Sequence, residues 1–217
     1  MSSVMMEHGP LIAFLSIMAV GLAVGMERLS LPKTESFSSM RKKVLGLFIV
    51  EMGGLLASAW TLMIHYQLQT GPSNLCAAEG LVQCGSVIGD PNYSTDPFIG
   101  LPWGLIGMLA FALLGWFTLT ILIDMKADWA QKYVDYAWWA SLPSAPGIVW
   151  LVFVELVLVE GAPHICPYCT SVHIALIATM FLLYTIRQER DQGNWDTDGP
   201  KRSKAELLAE ARKNKKK

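Results

Sequence analysis

Charged residues are scarce in this chain of 217 residues: only 16% are Asp, Glu, Lys or Arg, whereas 53% are hydrophobic. With a mean hydropathy of +0.38, this apolar excess is larger than a soluble domain of similar length usually carries. The chain also lacks a nucleotide-binding motif, and we expect no nucleic-acid partner. The scarcity of charge and the apolar excess predict a protein that lies in a membrane.

Lys and Arg are missing from residues 1–9, 67–99 and 160–164, and all 17 of them lie in the other connections and in the C-terminal tail. The positive-inside rule therefore places the N-terminus outside the cell and the C-terminus in the cytoplasm. We expect the protein to lie in the cell (plasma) membrane. No basic segment precedes the first apolar stretch, which predicts a retained helix and not a cleaved signal peptide. The predicted spans are residues 10–27, 44–66, 100–123, 134–160 and 165–186.

Two spans contain residues that are unusual in an apolar helix. Pro143, Pro146 and Gly147 lie inside the fourth span and predict a bend or break in it. Glu51 interrupts the second span near its cytoplasmic end, where a carboxylate is more often solvated or paired than functional. We therefore leave Glu51 out of the predicted site.

Cysteine is scarce too, since the chain has four, and all of them lie on the predicted outer side. Cys76 and Cys84 belong to the loop 67–99, whereas Cys166 and Cys169 stand at the outer end of the last span. An even number of cysteines that face an oxidising compartment predicts disulfide chemistry. Four cysteines allow three pairings, so the sequence leaves open which of them are bridged at rest.

The Cys166-Pro167-Tyr168-Cys169 segment is a CxxC motif, which is typical of reversible redox sites. At the start of the last helix, Cys166 lies near the positive end of the helix dipole, which stabilises its thiolate form. Cys169 follows one turn deeper, at the border of water and lipid. A dithiol at this depth can reduce a quinone, which is confined to the bilayer and accepts two electrons, while the loop pair can contact a water-soluble protein.

Two other functions are compatible with four cysteines. Together with His164, they could bind zinc, but the seven-residue gap between Cys76 and Cys84 is loose and an oxidising compartment competes for the thiols, so we predict no metal. A non-enzymatic membrane scaffold with two structural disulfides would keep all four cysteines oxidised and unreactive in mild reductant.

The motifs resemble those of the vitamin K epoxide reductase (VKOR) family in its prokaryotic branch. The resemblance covers residues 44–187 and implies an all-α integral membrane protein, a four-helix VKOR-like bundle around a quinone. Residues 1–43 would add an N-terminal transmembrane helix with a basic cytoplasmic loop, and residues 188–217 a basic cytoplasmic tail. The motifs that carry the resemblance are Cys76-x7-Cys84, Phe98-Ile99-Gly100-Leu101-Pro102 and Cys166-Pro167-Tyr168-Cys169.

The resemblance implies a quinone-dependent thiol–disulfide oxidoreductase that supports disulfide formation in exported proteins. Cys76 would exchange with a separate thioredoxin-fold (DsbA-like) protein, Cys84 would form a transient bridge to Cys166, and Cys169 would face the quinone. The quinone would be of the ubiquinone or menaquinone type. An alternative within the resemblance is the eukaryotic reductase of vitamin K epoxide and quinone.

Two positions depart from the family pattern. Asp90 stands where the family usually has serine or threonine, and it is either a hydrogen-bonding group near the quinone or a turn residue. His173 replaces a tyrosine of the vertebrate enzymes, and it either contacts the quinone and its protons or bonds another helix. His65 and Trp103 are predicted to line the same pocket, although such residues also gather at bilayer interfaces.

Overall fold

The computed structural model describes residues 3–29, 37–71, 78–79 and 81–195, without the side chains of residues 3–8, 78 and 79. The predicted site residue Cys76 and the tail from residue 196 onward lie outside the described residues. In chain order the elements are α1 (Ser3–Gly25), α2 (Ser39–Thr70), β1 (Ala78–Glu79), β2 (Val82–Gln83), α3 (Gly85–Ile88), α4 (Trp103–Ile123), α5 (Ala130–Ser141), α6 (Ser144–Phe153), a π-helix (Val154–Leu158) and α7 (Pro167–Asp191).

Four helical segments in the described part of the chain are long and apolar enough to cross a membrane: α2, α4, residues 130–158 and α7. The apolar part of α1, Gly9–Gly25, is shorter. The predicted fold class is thereby confirmed. The helix α2 is longer than its predicted span 44–66 at both ends, because hydropathy marks the part inside the hydrocarbon, whereas backbone hydrogen bonding continues into polar residues.

The fourth span is broken, as its prolines predicted. The helix α5 ends at Ser141 and α6 begins at Ser144, so the interruption falls at Leu142 and Pro143. No residue of α6 is buried, which leaves this helix on the outside of the bundle. The π-helix that follows returns to the interior, because Val154 and Glu155 are both buried.

The helix α1 is packed against the bundle with direct backbone contact. A Cβ atom placed on Gly46 of α2 would lie 2.3 Å from the backbone nitrogen of Gly25 in α1. Such approaches require small residues. At the same end of the bundle, the Lys43 ammonium lies 3.3 Å from the Glu27 carboxylate and 2.8 Å from that of Glu189, so the turn that follows α1 is joined by charge to α2 and α7.

A pair of short strands connects the loop cysteine to the CxxC motif. The strands β1 and β2 are antiparallel, with Ala78 opposite Gln83. The backbone N–H of Gln83 donates to the carbonyl of Ile165 at 3.1 Å, and the N–H of Ile165 donates to the carbonyl of Leu81 at 2.9 Å. Since Cys84 follows Gln83 and Cys166 follows Ile165, this pairing sets the two cysteine-bearing segments side by side.

Candidate active site

The CxxC motif forms the N-terminus of α7. Cys166 is the N-cap residue, and its Sγ accepts the backbone N–H of Cys169 at 3.1 Å. Pro167 occupies the first turn, where its missing N–H costs nothing. Both cysteines are free thiols, Cys166 fully buried and Cys169 partly exposed. The cap therefore holds the two sulfur-bearing residues in one rigid turn.

The loop cysteine Cys84 lies in the same buried apolar cluster as Cys166. Cys84 immediately precedes α3, is 2% exposed and is disulfide-bonded. It shares a buried cluster with Cys166, Ile64 and Tyr168. The described structure thus contains an oxidised loop cysteine packed in one cluster with a reduced CxxC pair.

A partly open cavity lies beside Cys169, and the space between its walls, including the part open to solvent, is about 600 Å³. Its walls are mainly apolar and come from α2, the segment between α3 and α4, the start of α4, the end of the fourth span and α7. Residues from these elements include Ser58, Thr61, His65, Tyr93, Trp103, Val154, Glu155, Cys169, Val172 and His173.

Three of the four predicted pocket residues line this cavity. His65 has both ring nitrogens engaged, since Nδ1 lies 3.2 Å from the carbonyl oxygen of Ile88 and Nε2 lies 2.8 Å from the Gln69 amide. Trp103 donates its indole N–H to the carbonyl of Tyr93 at 3.1 Å. These bonds fasten α3 to α2 and the loop before α4 to the start of α4, so both side chains shape the cavity while their polar atoms are already paired.

His173 has a different environment. It lies one turn beyond Cys169 on α7, is 6% exposed and lines the cavity. Within the described residues its ring forms no hydrogen bond, and the hydroxyl of Ser58 across the cavity is buried without a partner as well. Two polar groups are therefore available to a molecule that enters.

The fourth predicted residue, Asp90, does not line the cavity. Its Oδ1 accepts the backbone N–H of Asn92 at 2.8 Å and that of Tyr93 at 3.2 Å. This is the geometry of an Asx turn, in which the carboxylate stabilises a local reversal of the chain. The structure thus brings His65, Trp103 and His173 together but leaves Asp90 in the turn.

Glu155 contacts the CxxC motif but was not predicted from the sequence. Its Oε2 accepts the backbone N–H of Cys166 at 3.3 Å, and Glu155 lines the cavity together with Cys169. The available signal was an acidic residue within an apolar span, which marks a functional candidate. Glu51 carries the same signal, but it is fully buried rather than solvated, accepts a hydrogen bond from Thr118 at 3.1 Å and lies away from the cavity.

The chemistry of the cavity lining suits a quinone. It has mainly apolar walls, as a ring with an isoprenoid tail requires, and the unpaired Ser58 hydroxyl and the His173 ring can meet carbonyl oxygens. Among the residues that the structure describes, no three His, Cys, Asp or Glu side chains are grouped to hold a metal ion.

The fold and the site define a class, a multi-pass helical membrane protein with a CxxC dithiol beside a largely apolar cavity. A family model described as the vitamin K epoxide reductase family matches residues 45–184, which is more than half of the chain. The chain belongs to the vitamin K epoxide reductase family, whose members are oxidoreductases, and this membership indicates quinone-linked thiol–disulfide exchange. No curated protein and no solved structure matches the chain.

Proposed function

We propose that this protein oxidises a thioredoxin-fold protein outside the cytoplasm and reduces a membrane quinone. Electrons pass from Cys76 and Cys84 to Cys166 and Cys169, and the oxidised partner then introduces disulfides into exported proteins. One observation carries the proposal: the Cys169 thiol opens onto a mainly apolar cavity while Cys166 lies in the same buried cluster as the bridged Cys84.

The redox state of the cysteines corresponds to one stage of this relay. Cys84 is bridged and the CxxC thiols are free, as they would be after electrons have reached the motif. In the proposed relay, Cys76 is the cysteine that exchanges with the partner protein and pairs with Cys84. Each exchange breaks one disulfide and forms another, so two electrons move at every step.

The other end of the relay requires a molecule that stays in the bilayer. A bound quinone supplies the oxidising power of the reaction by accepting two electrons and two protons. On the protein side, His173 and the Ser58 hydroxyl would hold its carbonyl oxygens, and Trp103 would form a wall. The proposed quinone is of the ubiquinone or menaquinone type.

The topology supports an extracytoplasmic partner. Residues 67–99 and 160–164 contain no Lys or Arg, so the cysteine-bearing side is the outer side by the positive-inside rule. We infer a cell membrane location with the N-terminus outside and the C-terminus in the cytoplasm. A separate soluble protein can then reach Cys76 from water.

The test follows quinone reduction by the purified protein in detergent with two electron donors. A reduced thioredoxin-fold protein enters through the loop pair, whereas dithiothreitol can reduce the CxxC motif directly. We expect Cys76→Ala to lose at least about 100-fold with the protein donor and to retain activity with dithiothreitol. Cys169→Ala should lose activity with both donors, because no disulfide can then form beside the quinone.

The two donors distinguish the relay from a scaffold with structural disulfides. A native protein that reduces no quinone with either donor, and whose cysteines stay unreactive in mild reductant, would sink the proposal in favour of the scaffold. Activity that survives in Cys169→Ala would contradict the order of the relay, although not quinone reduction itself.

A further inference from the structure

Glu155 is the carboxyl group that contacts the CxxC motif, although the exchange of disulfides alone requires no acid there. The proposed relay releases two protons when the dithiol becomes a disulfide, and a quinone must take up two protons to become a quinol. We propose that Glu155 is the catalytic proton carrier between the Cys169 thiol and the quinone. This role rests on the proposed function and deepens it.

The backbone places this side chain. Glu155 belongs to the π-helix Val154–Leu158, in which the N–H of Val159 donates to the carbonyl of Val154, five residues earlier, at 3.1 Å. Single π turns within helices occur frequently at functional sites. Here the preceding α6 has no buried residue, whereas Glu155 is 5% exposed. The π turn thus directs an acid inward from a helix on the outside of the bundle.

The two carboxyl oxygens have different surroundings. Oε2 accepts the Cys166 N–H at 3.3 Å, which anchors the group to the motif. Oε1 is buried and has no hydrogen-bond partner within the described residues. The Glu155 residue also lines the cavity. A buried polar atom without a partner is costly, and catalytic function is one reason that proteins retain it. Anchored on one oxygen, the carboxyl group has the other free to exchange a proton.

Atoms and electrons balance in this step. The S–H bonds of Cys166 and Cys169 break, one S–S bond forms, and two electrons pass to the quinone. The Glu155 carboxylate accepts the proton of Cys169 as its sulfur reacts and then donates that proton to a quinone oxygen in the cavity. The second proton, from Cys166, completes the quinol.

Other titratable groups face the same space and must be considered in any pH experiment. They are His65 from α2, Tyr93 from the loop before α4, and Cys169 and His173 from α7. His65 is held by two hydrogen bonds. Glu155 is the carboxyl group among these cavity-lining residues, and so a carboxyl-specific signal can be assigned to it by substitution.

The first measurement is redox-induced infrared difference spectroscopy of the detergent-purified protein without quinone. The CxxC motif is oxidised with diamide and reduced with a phosphine, and carboxyl bands are recorded after ¹³C labelling of glutamate. We expect a glutamate carboxyl band that changes with the redox state, is lost in Glu155→Gln and remains in Glu51→Gln. Glu51 is the matched control, because it is a buried carboxyl group of another span that lies away from the cavity.

The second measurement is quinone reduction by the same variants across pH. Near neutral pH we expect Glu155→Gln to fall about 100-fold, as general-base variants commonly do, and to recover as the pH rises because hydroxide replaces the missing acceptor. Glu51→Gln should keep the native pH profile. A packing defect would lower the rate without this recovery.

Each outcome of these measurements has a distinct meaning. If no glutamate band in the native protein responds to the redox state, the proton role of Glu155 is overturned, and this result needs neither a folded variant nor a quinone. A Glu155→Gln rate close to the native rate at every pH overturns it too. Native protein that reduces no quinone, yet shows the Glu155 band, contradicts the proposed function and leaves the proton link between Glu155 and the thiols standing.

Discussion

The close contact between α1 and α2 predicts that Gly46→Ala destabilises the protein. In an open helix position, the same replacement usually stabilises. Gly46→Ala adds a Cβ that would lie 2.3 Å from the Gly25 nitrogen, 2.4 Å from its Cα and 2.5 Å from the Gly21 carbonyl oxygen. All three are backbone atoms, so no side chain can rotate away. To restore an ordinary contact of about 3.5 Å, the two helices must separate by about 1 Å along this line.

The magnitude is the difference between two effects. In an open helix position, replacing glycine by alanine stabilises by about 1 kcal/mol. Overpacking of a tight contact costs about 1–3 kcal/mol, because whole backbone segments shift and lose dispersion contacts. The second effect is larger here, and we expect Gly46→Ala to lower the free energy of unfolding by up to about 2 kcal/mol.

The assay is unfolding of the purified protein in mixed micelles by increasing fractions of denaturing detergent. Gly147→Ala is the control, because a Cβ on Gly147 meets nothing within 4 Å, and it should be neutral or stabilising. Gly46→Ala at least as stable as the native protein would refute the direct packing of α1 on α2.

Three further expectations concern the cavity, the turn at Asp90 and the ion pairs of Asp135. His173→Phe should raise the KM for quinone about tenfold while oxidation of the protein donor in a single turnover stays unchanged; an unchanged KM would remove His173 from the quinone site. Asp90→Asn preserves an oxygen acceptor for its turn, so steady-state assays should give a KM within about twofold of native, and a larger change would place Asp90 at the quinone. Asp135→Asn weakens the ion pairs to Arg187 and Arg190, which measure 2.9 and 2.8 Å on a partly exposed surface. It should lower the free energy of unfolding by about 1 kcal/mol in low salt and by less in high salt. Equal losses at both salt concentrations would contradict a charge effect.

Much of the fold was accessible from the sequence, because a bilayer imposes simple constraints. Apolar stretches long enough to span the hydrocarbon predicted the helices, and Pro143 predicted the break between α5 and α6. Helix ends were less accurate, since hydrogen bonding continues beyond the apolar segment. The packing of α1 onto α2 by glycine was also missed, because such contacts depend on which faces of two helices meet.

Some parts of the candidate site were predictable from the sequence and others were not. The CxxC spacing alone predicted a redox pair at the start of the last helix, since two residues within one helical turn require no tertiary information. His173 follows Cys169 by one helical turn, so its position beside the thiols was predictable too. Asp90 was ambiguous, because a carboxylate before proline fits a turn and a pocket equally well, and only the path of the loop before α4 showed the turn.

What the sequence by itself determined is therefore local or imposed by the membrane: the apolar spans, the bias of positive charge and the turn that holds Cys166 and Cys169. The tertiary structure decided which distant groups meet. It placed Cys84 in one buried cluster with Cys166 and turned Glu155 inward through a π-helix toward a motif eleven residues later in the chain. The physical reason is that spacing along a helix sets neighbours only within a turn or two, whereas contacts between helices depend on packing angles and side-chain volumes throughout the bundle.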